Sequence, residues 1–510
     1  MTGPSGNDVP LASNGKPFDR AYARRVMVLL ACVVTLVLYI EGMLTPSLPT
    51  IQQEFGVSYG QTTLILSSYI VVGVALSPVV GKLGDIYGKK RLLAVVLGLY
   101  AVCVSVTGFS PTFAFMVGAR AFQGIGLTIF PLGMSLVREE FPRDMIPRAQ
   151  GLLSAMFGAG FAVSIPLGGW VANSYGWRTT YHTAIPFVAA LAILIFLVVR
   201  ESHYRRPETK VDYFGAALLG TSLACVVLGL SEGPTWGWTS VLTVGFLALG
   251  VVLLGPLFWY EGWYRSHGGE AILDLRLLRQ RNVAVTNVVG LVAGVGMYLA
   301  MISLIFLFRS PGPSGGYGLS TFGAALSIVP LALGMLVFAA LAGVLVSRVG
   351  TRPMTALGSA VTAGAFLLLI PPHPYATMLA LEFGIGAGIG IVNAGVINLL
   401  VLTVDPRDMG LATSLSSVFR NMGSSLGAPL SGSLLTTFTL VVVTPLGSTS
   451  LPSFLAFQWS FAIAAASFIF AGGFVVLGRE VLGKNARPAE EVGAPEPSFR
   501  KVSVADFPQK

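Results

Sequence analysis

The sequence predicts an all-α polytopic membrane protein with fourteen transmembrane helices: two pseudo-symmetric six-helix bundles plus two inserted helices. Three observations predict it. Apolar residues gather in runs of about 20, enough to span ~30 Å of hydrocarbon at ~1.5 Å rise per residue. Basic residues alternate in density from one connecting segment to the next. Three short sequence matches recur at one constant spacing. Composition sets the frame: of 510 residues, 54% are hydrophobic and only 11% charged, with a mean hydropathy of +0.76. A soluble domain carries about 25% charged residues, so these are too few to cover a water-exposed particle.

Each run is read as a helix because lipid offers no partner to open backbone groups. The alternation over roughly ten residues that marks a membrane barrel is missing. After a polar N-terminal tail (1–25), the first bundle (26–200) holds runs 26–46, 60–80, 92–109, 112–137, 150–172 and 179–199. The linker region (201–282) holds two extra runs, 213–230 and 239–260. The second bundle (283–478) holds 283–308, 321–346, 354–371, 375–403, 410–438 and 456–478. The longer runs accommodate the bilayer by tilting. The C-terminal tail (479–510), charged and Pro-containing, is expected to be disordered. The N-terminal tail leads into a full-length run without a small-residue cleavage site, so it does not read as a signal peptide.

Basic residues orient the chain. With the N-terminus placed in the cytoplasm, 28 of the 32 Lys and Arg fall on that side. Only Arg178 and Arg309 fall outside, and Arg120 and Arg420 lie within runs. A multi-pass protein of the cell membrane with both termini cytoplasmic is therefore expected. The same placement accounts for the net charge of +9 without nucleic acid: the positive charge faces anionic lipid.

The internal repeat appears at one offset. Gly81-Lys-Leu-Gly-Asp-Ile-Tyr-Gly88 resembles Gly343-Val-Leu-Val-Ser-Arg-Val-Gly350. Arg120-Ala-Phe-Gln-Gly124-Ile-Gly126 resembles Glu382-Phe-Gly-Ile-Gly386-Ala-Gly388, and Ser154-Ala-Met-Phe157 resembles Ser416-Ser-Val-Phe419. Each pair is displaced by 262 positions (343 − 81, 382 − 120, 419 − 157). An even number of inserted helices keeps the two halves parallel, as repeats about an axis along the membrane normal require.

Several function classes find no support. Cys32, Cys103 and Cys225 lie in apolar runs and read as small hydrophobes. His182, His203, His267 and His373 are scattered and form no metal set. No Ser/His/Asp arrangement, zinc spacing or P-loop is present, so no enzyme activity, metal or cofactor is expected. Gly384-Ile-Gly386-Ala-Gly388-Ile-Gly390 sits in an apolar run with no preceding strand, which points to close helix packing rather than nucleotide binding.

The segment Gly81-Lys82-Leu83-Gly84-Asp85-Ile86-Tyr87-Gly88-Lys89-Lys90-Arg91 reads as a tight cytoplasmic turn. Gly88 permits unusual dihedrals, Lys89, Lys90 and Arg91 hold the turn inside, and Asp85 suits the positive end of a neighbouring helix. This segment closely resembles the signature loop of the major facilitator superfamily. Arg120-Ala-Phe-Gln123-Gly124 is similar to that family's Arg-x-x-Gln-Gly element. Glu41-Gly-Met-Leu-Thr45-Pro46-Ser-Leu48-Pro49-Thr-Ile51 resembles the first-helix signature of drug:proton antiporters, which usually opens with Asp. Trp177-Arg178, Tyr181 and Pro186 resemble the start of helix 6 in that branch. Asp212-Tyr-Phe-Gly215 and Gly233-Pro-Thr-Trp236-Gly237-Trp238 resemble the ends of its extra seventh helix.

Together these span about residues 25–480. They imply the fourteen-helix drug:proton antiporter branch, with alternating access and proton-coupled export of amphipathic or drug-like small molecules. One motif departs from the branch. Its helix-5 element Gly-Pro-x-x-Gly-Gly is replaced by Ser164-Ile165-Pro166-Leu167-Gly168-Gly169, with the first Gly missing and the Pro displaced by one. That departure keeps an uptake symporter open. A non-transporting membrane sensor or scaffold is the alternative of another class.

Ionisable groups within lipid cost about 2.5–3.5 kcal/mol each even on the lenient insertion scale. Glu41, Arg120 and Glu382 are therefore the expected proton-coupling residues. Arg120 and Glu382, equivalent in the repeat, are expected to pair across a central cavity. Gln123, Asn393, Asn398, Arg420 and Asn421 are expected to line the substrate path. The expected partners are a small-molecule substrate, protons and membrane lipid.

Overall fold

A computed structural model describes residues 20–141, 145–200, 210–269, 271–404, 409–444 and 447–480. The expected tails fall outside these residues, save 20–25 and 479–480. The first run is broken rather than continuous: α1 (Arg20–Gly42) passes through a 3-10 turn at Thr45–Ser47 into α2 (Leu48–Phe55). Pro46 and Pro49 lack the N–H that an unbroken helix needs, and each stands at the start of a new helical segment. The next element, α3 (Tyr59–Tyr87), opens with a capping box. Gln61 N donates to Ser58 Oγ at 3.1 Å, and Ser58 N donates to Gln61 Oε1 at 3.1 Å.

α3 continues through segment 81–87, where a polar loop was expected, and a single residue, Gly88, separates it from α4 (Lys89–Gly108). Hydropathy reports where lipid ends, whereas a helix continues until its hydrogen-bond ladder is broken. Here the break is Gly88 at φ +102°, a backbone conformation that suits glycine alone.

The fourth run is α5 (Phe113–Gln123), a 3-10 turn at Gly124–Thr128 and α6 (Ile129–Glu140). Then come α7 (Ile146–Tyr175) and α8 (Trp177–Val198). At the positions of the two extra runs stand α9 (Tyr213–Trp236) and α10 (Val241–Ser266), followed by the short α11 (Leu275–Leu278). Asp212 caps α9 by accepting from Gly215 N at 2.7 Å. The second half contains α12 (Arg281–Arg309), α13 (Thr321–Ser327), α14 (Val329–Val349), α15 (Thr351–Leu368), α16 (Tyr375–Val401), α17 (Met409–Thr437) and α18 (Phe454–Val475).

Among the described residues, eleven helical spans are long and apolar enough to cross a membrane. α7, α15 and α17 stand at the remaining expected positions but outside that set. In α17 the polar run Ser414, Ser416, Ser417, Arg420, Asn421, Ser424 and Ser425 lowers the hydropathy. The fold is helical, as expected, with one short addition among the described residues. Thr439–Thr444 and Gly447–Pro452 pair as an antiparallel hairpin, with Thr439 opposite Pro452. The first strand, Thr-Leu-Val-Val-Val-Thr, is rich in β-branched residues, which favour an extended backbone; its apolar content resembles that of a span, but it is far too short for one.

The repeat is visible in three dimensions. Gly88 and Gly350, 262 apart, both end a helix at φ +102° and both begin the next. A Cβ on Gly124 would run into the carbonyl oxygen of Tyr69, and one on Gly386 into that of Leu331. The obstructing residues are themselves 262 apart. Gly126 and Gly388 repeat the relation against Tyr100 and Thr362. Each half thus packs its fourth helix on its second and third through the same small-residue contacts.

The halves meet firmly at one end. Gly60 N donates to Thr436 Oγ1 at 2.9 Å, and Arg309 donates to Thr50 Oγ1 at 3.3 Å. Tyr59 and Phe306 sit edge to face, with ring centroids 5.2 Å apart. Gly169 allows α7 to pack on Thr321 and Ala325 of α13. This closed end carries the starts of α3, α13, α16 and α18.

Candidate functional site

Between the halves, Glu41, Tyr69, Arg120, Phe161, Tyr298 and Met301 enclose a space of about 10 Å³, on the order of one water molecule. Glu41 occupies the last turn of α1, just before the proline-rich break, and is 8% exposed. Its Oε1 accepts from the Tyr298 hydroxyl of α12 at 3.1 Å. A carboxylate of the first half is thereby bonded to a phenol of the second. The guanidinium groups of Arg120 and Arg420 both act electrostatically on Glu41, so two cations from opposite halves flank one acid.

Arg120 is fully buried. Its Nε donates to the Ile65 carbonyl at 3.2 Å and its Nη1 to Gln123 Oε1 at 3.2 Å. The guanidinium lies over the Tyr69 ring, 4.6 Å from its centroid. The buried phenols of Tyr100 and Tyr181 both feel the Arg120 charge, and neither hydroxyl has a hydrogen-bond partner among the described residues. Arg120 therefore both clamps α3 and projects positive charge toward Glu41. Gln123 orients the arginine.

Glu382 is not part of this group. It is fully buried, neither carboxylate oxygen has a hydrogen-bond partner, and the ring it acts on is Tyr317, in the loop after α12. The expected pairing of Arg120 with Glu382 is not formed. The repeat places each residue beside the second helix of its own half; Arg120 reaches the centre by its length, and the shorter Glu382 does not. Of the second-half residues, Arg420 is half-buried and reaches Glu41 electrostatically. Asn421 is its half-buried neighbour on α17, and Asn393 is half-buried on α16. Asn398 donates to the Ala394 carbonyl of its own helix at 2.8 Å, which ties up its amide N–H.

The turn at Gly88 is held by a buried lysine. Lys89 opens α4 and pairs with Asp85 of α3 at 3.0 Å and with Glu139 of α6. The partner of Asp85 is thus a lysine at the start of α4. Gly81 and Gly84 lie within α3, and Arg91 lies in the first turn of α4. In α7, Pro166 is inside the helix, while Gly168 lies against the Met43 backbone at the end of α1. Gly168 and Gly169 thus set the distance from α7 to α1 on one side and to the other half on the next.

Tyr298, Tyr69 and Tyr100 were not anticipated, and Tyr181 entered only through the helix-6 resemblance. In apolar runs a tyrosine reads as packing, and the Ser and Thr residues of the same helices mask its hydroxyl as a signal. Asn287, fully buried with both amide atoms unpartnered, was missed likewise.

Comparison with known proteins agrees with this architecture. The family model described as Major Facilitator Superfamily matches residues 30–273 and 286–505. An uncharacterized MFS-type transporter of Mycobacterium tuberculosis is 30% identical over 409 residues, which are 78% of this chain and 57% of that protein. The chain thus spans little more than half the length of that relative. The tetracenomycin C resistance and export protein of Streptomyces glaucescens is 24% identical, over 82% of this chain and 76% of that protein. The crystal structure of a bacterial homologue of the human lysosomal transporter Spinster, inward-facing and unoccupied, superposes with a TM-score of 0.62 at 14% identity. It covers 90% of this chain and 95% of that chain, and it shows the fold. With both halves matched by one family model, the chain belongs to the major facilitator superfamily, a family of transporters and not of enzymes.

Proposed function

We propose that the chain is a secondary transporter of the fourteen-helix drug:proton antiporter branch, exporting amphipathic or drug-like small molecules in exchange for protons. The observation that carries this reading is the Glu41–Tyr298 hydrogen bond at 3.1 Å, formed between the halves and flanked by Arg120 and Arg420. A carboxylate there is sensitive both to protonation and to the separation of the halves. Protonation of Glu41 removes its charge, weakens its attraction to the two arginines and frees the halves to rock about the central site. Substrate enters when the space around Glu41 widens, since about 10 Å³ admits nothing larger than a water. The two bundles, 26–200 and 283–478, are the moving bodies. Helices α9 and α10 are the inserted pair, and Asp85, Lys89 and Glu139 hold the end opposite the closed one. Both termini lie in the cytoplasm of a cell-membrane protein, as the distribution of Lys and Arg supports. The export direction draws on relatives such as the Streptomyces protein, whose name states resistance and export.

Proton flux in proteoliposomes tests the proposal. A panel of amphipathic compounds that includes tetracenomycin C is added to wild type and Glu41→Gln with an imposed pH gradient. Substrate-dependent proton movement is expected in wild type and its loss in Glu41→Gln; equal movement in both removes Glu41 from coupling. The displaced Pro166 supports uptake as the second reading. Inverted vesicles separate the two, because export appears there as proton-driven accumulation.

A further inference from the structure

A second cavity lies within the second half at the closed end, where the loops after α12 and α15 meet the starts of α16 and α18. Its volume is about 240 Å³, against about 10 Å³ at the central site. Leu307, Leu369, Met378 and Phe454 line it with apolar side chains, and Tyr317 and His373 supply its polar edge. Leu307, Leu369 and Met378 are buried while Pro371 and Pro372 are exposed, so the cavity has a floor and a mouth. An apolar cavity of ~150 Å³ suffices for benzene, so this one has room for an aromatic ring with a short side arm. No Asp, Glu, Lys or Arg is among the described residues that line it. A charged guest would give up its hydration there without a counter-charge.

The walls are pinned by the protein itself. The Tyr317 hydroxyl donates to the His373 carbonyl at 2.6 Å and joins the two loops. The Tyr317 ring packs on those of Phe308 and Tyr375, with centroids 5.6 Å and 5.8 Å from its own. Gln458 of α18 donates to the Ile370 carbonyl at 3.0 Å. Gly315, at φ +73°, lies so close to Phe454 that a Cβ there would strike its ring. Binding pockets are usually preformed in this way.

The same loop helps to hold the halves together. Gly318 N donates to the Ser310 carbonyl and Leu319 N to the Phe308 carbonyl, each at 2.8 Å. The Leu319 carbonyl accepts from Arg309 Nη1 at 3.1 Å, and Arg309 Nη2 donates to Thr50 Oγ1 of the first half at 3.3 Å. A guest seated against Tyr317 thus stands two residues from the carbonyl that aims Arg309.

We propose that this cavity is a regulatory binding site for small neutral aromatic molecules, whose occupancy braces the loop 315–319 and thereby holds Arg309 on Thr50. The binding is independent of the Glu41 centre; its effect on the closed end rests on the rocking proposed for the two halves.

Hydrogen exchange of the purified full-length chain in detergent, followed by mass spectrometry, tests both parts without a transport assay. Benzyl alcohol is the probe, and benzoate and benzylammonium are its charged counterparts. At ten times its dissociation constant, benzyl alcohol is expected to slow exchange at Gly318 and Leu319 by about tenfold. The effect saturates, and neither charged counterpart produces it. The slowing extends to α2, which Arg309 holds, and in Arg309→Ala it is confined to the second half. Met378→Trp, which fills the cavity, abolishes the effect of benzyl alcohol, and Glu41→Gln leaves it intact. In the wild-type chain alone, no slowing at Gly318 and Leu319, equal slowing by either charged compound, or equal slowing throughout the protein each overturns the site. Slowing that never reaches α2, or that reaches it unchanged in Arg309→Ala, overturns the brace. A chain without proton-coupled flux that still shows the protection loses the transport reading and keeps the site.

Discussion

Tyr298 is the residue on which the central arrangement turns, because its hydroxyl is the direct link between Glu41 and the second half. A hydrogen bond to a charged group is worth about 1.5–3 kcal/mol. Tyr298→Phe removes it without changing the packed volume. Proton-driven flux is expected to fall about tenfold or more while the melting temperature in detergent stays close to wild type; unchanged flux would show that the bond is incidental. Arg120→Lys is expected to be costlier than it looks. A lysine has one nitrogen in place of the fork that serves Ile65 and Gln123 together. The variant is predicted to lose both the clamp on α3 and the field at Glu41, read as a lower melting temperature together with lost transport.

At the scale of elements, small residues decide which helices touch. α16 lies so close to α14 that a side chain on Gly386 meets the Leu331 carbonyl, whereas Gly384, two residues earlier, has only Ala365 Cβ near it, at 3.8 Å. Gly386→Val is expected to destabilise by on the order of 1–3 kcal/mol or more, as overpacked cores do. Gly384→Val should be nearly silent. Thermal melts of the two proteins side by side check the contrast, and equal loss in both would mean that the close approach is not what glycine serves there. The turn at Gly88 is a second such point. At φ +102°, Gly88→Ala carries about 1–3 kcal/mol of backbone strain, expected as a lower melting temperature.

For the whole molecule, the bonds between the halves at the closed end predict a mechanical test. Thr50 and Arg309 belong to different halves and are hydrogen-bonded. In a chain with its three cysteines replaced by Ala, Thr50→Cys and Arg309→Cys can be bridged by a short bis-methanethiosulfonate reagent. Bridging is expected to abolish flux, and reduction to restore it, because rocking requires this end to open. Flux that survives complete bridging would rule out rocking at this end.

Much of the architecture was legible in the sequence because it rests on local or repetitive signals. Long apolar runs fixed where helices lie, and the offset of 262 announced two matching halves, since hydrophobic length and repetition are written residue by residue. Other features follow from how the helices meet in space. α3 reaches Tyr87 because Gly88, not the end of an apolar run, breaks its ladder, and the strands at 439–452 form because two short segments find each other. Tertiary packing alone decided that Arg120 serves Glu41 while its repeat partner Glu382 is buried away from that centre, without a hydrogen-bond partner. Sequence symmetry sets equivalent backbone positions, but side-chain length and the neighbours supplied by the fold determine which charges come within reach.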